Sequence, residues 1–134
     1  MYLMLQQEKP EDFVLATGIT TTIRDFVKMT FAELDVELGF KGADDAEEGY
    51  VVKNTGSYDL KEGQVIIKVD PKYYRPTEVD LLIGDPTKAK EKLGWVPEIH
   101  LEELVKDMME SDLKLFKRDK FLSEGGHNIF NYYE

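Results

Sequence analysis

Apolar residues change their spacing twice along this chain, and that change restricts its fold more than any other feature. Ile23, Phe26, Val27, Phe31 and Leu34 step by three or four residues, the stripe of a helix facing a core. From residue 36 to 69 the pattern shortens to VELGF, GYVVK and QVIIKV, runs of strand length parted by acidic and Gly-containing turns. Leu101, Leu104, Val105, Met108, Met109, Leu113 and Phe116 then return to helical spacing. An α/β chain of an α+β-like kind is expected: a small mixed or antiparallel sheet of short strands with three to four helices. Its 134 residues suffice for one core. Residues 1–120 are expected to form that core, and residues 121–134 a tail.

Capping chemistry places the ends of the helices. Thr22 and Asp25 form a near capping box, so a helix starts at Ile23, and Gly39 is expected to close it. Asp85 suits a helix N-terminus, Pro86 the first turn and Gly94 a left-handed C-terminal cap, which predicts a two-turn helix over 86–93. His100 falls at the cap of the last helix, whose Lys114, Lys117 and Arg118 suit its C-terminal dipole. Gly125 and Gly126 form a hinge before an aromatic tail. At the other end, MYLML reads as the end of a helix stopped by Pro10. A helix that opens on the first residue has no cap, which fits either sequence upstream or a genuine start with a frayed helix. Phe13 to Ala16, closed by Gly18, predicts a buried strand.

Composition removes several classes of function. Without cysteine there is no disulfide framework, thiolate metal site or cysteine nucleophile. Apolar runs are only a few residues long, against about 20 for a bilayer span, and no signal peptide is visible, so a soluble cytoplasmic protein is expected. Twenty-seven acidic against 17 basic residues give a net charge of −10, which repels nucleic acid and anionic membranes, and no basic stripe offsets it. His100 and His127 have no neighbour at ligand spacing and read as surface residues; no metal is expected. Asp44, Asp45, Glu47 and Glu48 lack the alternation of a calcium loop and read as a solvated loop. No nucleophile elbow or Walker loop occurs, and no catalytic residue is assigned.

The stretch DPKYYRPTEVDLLIGDPTKAKEKLGW, residues 70 to 95, is different. Arg75, one of three arginines, precedes Pro76, which holds its predecessor extended and presents the guanidinium from a constrained loop. That planar fork suits phosphate oxygens bidentately. Glu78, three residues on, is placed to accept from hydroxyls such as those of a ribose. On spacing alone, an ion pair between Arg75 and Glu78 is served equally well.

Together with FVLATG and TIRDF upstream, this stretch resembles the C-terminal part of the extended short-chain dehydrogenase/reductases that act on nucleotide sugars. More narrowly, MLQQEKPEDFVLATG, IIKVDPKYYRPTEVDLLIGDP and KLGWVPEI are similar to the GDP-mannose 4,6-dehydratases, over essentially residues 1–120. The resemblance implies the smaller substrate-binding subdomain of an enzyme whose N-terminal Rossmann domain binds NADP. It implies GDP-mannose as substrate, dehydrated through oxidation at C4, loss of water across C5 and C6 and hydride return to GDP-4-keto-6-deoxymannose. It further implies that Arg75 contacts the diphosphate and Glu78 the nucleotide ribose, and that the parent is a homodimer or homotetramer. The family usually has Ser and Val where Thr22 and Ile23 stand, and Thr or Ser in place of His100.

None of the ten glycines forms a dinucleotide fingerprint, and no tyrosine is followed by lysine four residues later. The expectation is a nucleotide-sugar-binding portion, inactive alone because hydride carrier and proton-transferring tyrosine lie upstream. The alternatives are the matching part of an epimerase or reductase in the same superfamily, or a stand-alone binding or assembly module.

Overall fold

Thr22 fixes the start of the first substantial helix. In the computed structural model, which describes residues 1–75 and 82–129, its hydroxyl accepts from the Asp25 amide at 3.1 Å and donates to the Asp25 carboxylate at 2.6 Å. The elements run α1 (Tyr2–Leu5), α2 (Ile23–Ala32), β1 (Val36–Lys41), a 3-10 turn (Asp44–Ala46), β2 (Glu48–Asn54), β3 (Val65–Lys68), α3 (Thr87–Leu93) and α4 (Leu101–Glu124). The sheet has the order β1-β2-β3, antiparallel at both pairings, with Leu38 opposite Val51 and Phe40 opposite Gly49.

Alternation along β1 and β2 turns Val36, Leu38 and Val51 to one face, where all three are buried. Val27, Phe31 and Leu34 pack on that cluster from the α2 side, and Leu60, Ile66 and Ile67 close it, giving one helix laid on a three-stranded sheet. Val105 of α4 and Ala89 of α3 are buried away from this cluster.

Two expectations are corrected. Helix α2 ends at Ala32, not near Gly39: Asp35 takes a left-handed φ of 58° and turns the chain into β1. Gly39 is a strand residue opposite Tyr50, and a Cβ there would lie 2.7 Å from the Tyr50 ring, so its glycine serves packing. Residues 13–16 form no strand, and Val14 and Leu15 are exposed. A strand needs a ladder partner. Gly84 lies alongside this segment, where a Cβ would fall 2.6 Å from the Ala16 Cβ.

Helix α3 begins one residue later than expected. The Asp85 carboxylate accepts from the Thr87 amide at 2.9 Å, and left-handed Gly94 lets Trp95 donate back to the Ala89 carbonyl. At the start of α4 the Glu103 carboxylate accepts from the His100 amide at 3.1 Å. The end of α4 is a Schellman turn: Gly126 has φ 78°, its amide donates to Ser123, and His127 donates to Leu122.

Candidate functional site

The loop that leaves β3 is built by Asp70. Its carboxylate accepts from the Lys72 amide at 2.9 Å, and its carbonyl accepts from Tyr73 at 2.9 Å and Tyr74 at 3.2 Å, closing one tight turn. The turn seats the Tyr74 ring beside the 3-10 turn. Burial raises the Tyr74 phenol above its usual range, and the charges of Asp44 and Asp45 with a hydrogen bond to Asp44 add to it. Arg75 follows directly and is exposed. The guanidinium thus leaves a backbone fixed on one side by the Asp70 turn. Glu78 and Pro76 lie outside the described residues, as does any pairing of Glu78 with Arg75.

Beside the start of this loop, Lys68 and Val69 line a cavity of about 210 Å³ between α2 and the sheet. Arg24 reaches across its edge to Glu47 at 2.5 Å, and Lys68 pairs with Glu48 at 2.9 Å. The Lys68 hydrogen bond holds the Glu48 carboxyl below its usual range. Larger hollows, about 470 Å³ between Lys28 and Lys53 and about 510 Å³ beside Trp95, do not include Arg75.

Leu82 and Ile83 are both exposed, and the chain is fastened a few residues further on. Lys88 and Lys92 of α3 hold the Glu11 carboxylate at 2.9 and 2.6 Å; Lys88 also donates to the Asp12 carbonyl and stands 5.0 Å over the Phe13 ring. These lysines, Lys92 foremost, push the Glu11 carboxyl down to about 2. Sequence reasoning missed this clasp. Its only sequence signal is the four-residue spacing of the lysines, which puts both on one helical face.

The two histidines fall at opposite ends of α4, about 36 Å apart for 24 residues, and among the described residues no three metal-ligating side chains cluster. What the loop offers chemically is an exposed, always-charged, planar donor suited to an anion.

The GDP-mannose 4,6 dehydratase family model matches residues 1–108, a span that carries Arg75 and the clasp. The chain belongs to this family. A GDP-mannose 4,6-dehydratase of Vibrio cholerae is 45% identical over 130 residues, covering 96% of this chain and 35% of that protein. One of Dictyostelium discoideum is 49% identical over 122 residues, 90% of this chain and 32% of the relative, and the human one 44% over 117 residues, 87% and 29%. The chain thus spans about a third of the length of these curated relatives.

Proposed function

We propose that this chain is the nucleotide-sugar-binding portion of a GDP-mannose 4,6-dehydratase. In that reading Arg75 meets the diphosphate of GDP-mannose, Glu78 accepts from the ribose hydroxyls, and residues 1–120 form the unit that carries them. The observation that carries it is the exposed Arg75, held on the Asp70 turn within the residues that match the family.

NADP is the hydride carrier that such a dehydratase requires. This chain does not fit it, having neither a glycine fingerprint for a pyrophosphate nor a tyrosine with a lysine four residues on, so no hydride or proton step is assigned here. The part played by this chain is binding and orientation, with the negative substrate drawn to a focused cation on a surface of net charge −10.

The test is Arg75→Ala in the full-length dehydratase that carries this sequence. A lost charge-assisted contact of about 1.5–3 kcal/mol lowers kcat/KM for GDP-mannose by roughly 10- to 150-fold. Unchanged turnover removes the reading.

A further inference from the structure

Arg75 can meet a diphosphate reproducibly only if the chain is held on both sides of it. The Asp70 turn holds the near side. On the far side, the next helix among the described residues is α3, which opens at Thr87. A side chain carried between two fastenings keeps its place only as well as both of them do, because releasing either end adds conformations to the stretch.

What fastens α3 is the segment from Glu11 to Gly18. Just ahead of the helix, a Cβ on Gly84 would fall 2.6 Å from the Ala16 Cβ and 3.1 Å from the Val14 Cγ1, and one on Gly18 would fall 3.8 Å from the Pro86 Cδ. The helix then lies over residues 11–13. Lys92 donates to both Glu11 carboxylate oxygens, at 2.6 and 2.7 Å, and Lys88 reaches one of them at 2.9 Å and the Asp12 carbonyl at 2.9 Å. Ala89 is the buried residue of α3, and burial of a methyl group carries no direction. The contacts converging on Glu11 do carry direction. Glu11 keeps 33% of its side-chain surface and the two lysines 44% and 49%, and ion pairs so open contribute only modestly to stability. Their value in placing α3 therefore exceeds their value in holding the fold.

We propose that Glu11 is a positioning residue for the substrate-binding loop: by holding Lys88 and Lys92 it fixes the start of α3, and through it the place from which Arg75 meets the diphosphate of a nucleotide sugar. The inference rests on the reading of Arg75 given above.

Steady-state kinetics of the full-length dehydratase that carries this sequence test it, with Glu11→Gln, Glu11→Asp, Arg75→Ala and the Glu11→Gln/Arg75→Ala double variant compared at neutral pH. Glu11→Gln raises KM for GDP-mannose about three- to tenfold with kcat unchanged, the mark of a contact made equally in the ground and transition states. Glu11→Asp keeps the charge that two flexible lysines can follow, and returns KM to within about twofold of the parent. On the Arg75→Ala background Glu11→Gln adds nothing further, because the group it places is gone. A purely structural Glu11 behaves otherwise: fewer active molecules lower kcat at constant KM, by the same factor with or without Arg75. That pattern, an unchanged KM, or an Asp variant as impaired as the Gln variant overturns the proposal. A costly Arg75→Ala beside a silent Glu11→Gln removes this inference alone, whereas a silent Arg75→Ala removes the reading of Arg75 and the role of Glu11 with it.

Discussion

Glu11 shows how one side chain joins parts of the chain that sequence keeps 81 residues apart. Its folded-state pKa of about 2 lies below the ordinary 4.5, so its contribution to stability is complete above about pH 4.5 and is lost as pH falls toward about 2. Glu48, lowered by Lys68, and Asp85, lowered by the Thr87 hydroxyl and amide, act in the same direction. Glu11→Gln is therefore expected to be less stable than the parent at neutral pH and to converge with it near pH 2, followed by the fluorescence of Trp95 during acid titration. A constant difference down to pH 2 would assign the effect to something other than the charge. Gly42 makes a different demand. Its φ is 83°, and a Cβ there would lie 2.3 Å from the Ala46 carbonyl oxygen, a backbone atom that cannot swing aside. Gly42→Ala is expected to lower stability by about 1–3 kcal/mol in urea titration, with the β1–β2 connection as the site of damage.

At the level of elements, the sheet divides adjacent valines. Val51 is fully buried against the α2 side, while Val52 points the other way and stays 40% exposed. Val51→Ala is expected to cost about 1.5–3 kcal/mol and Val52→Ala within about 0.5 kcal/mol, both read as denaturation midpoints. Equal losses would mean that the second face is covered as well. The helix start at Thr22, the Asp85 turn just ahead of α3 and the left-handed end at Gly94 were legible because these are local chemistry between residues two to five apart, although the cap of α3 itself falls on Pro86. The misread strand at residues 13–16 has the opposite cause. Four apolar residues in a row announce burial or pairing without naming a partner, and in this chain they run extended beside Gly84 with Val14 and Leu15 open to solvent.

For the molecule as a whole, binding and stability are expected to separate. An exposed Arg75 contributes little to the fold, so Arg75→Ala should leave the melting temperature of the chain within a few degrees of the parent, about the shift that 1 kcal/mol produces in a domain of this size. The chain by itself is expected to bind GDP no more tightly than about 1 mM, because a single guanidinium leaves little surplus over the cost of association. Calorimetry that found micromolar GDP binding would place further phosphate contacts on this chain. Among the described residues no helix is long and apolar enough to cross a membrane. The sequence alone determined the periodic helices, the short strands, the caps and the loop arginine, together with the family that those motifs resemble, since all of these rest on spacing along the chain. Only the tertiary structure decided that Gly39 packs under Tyr50, that Glu11 is clasped by Lys88 and Lys92, and that Asp70 turns the chain tightly ahead of Arg75. The first two depend on which distant surfaces the closed core brings within a few ångströms, and spacing along a chain carries no record of that.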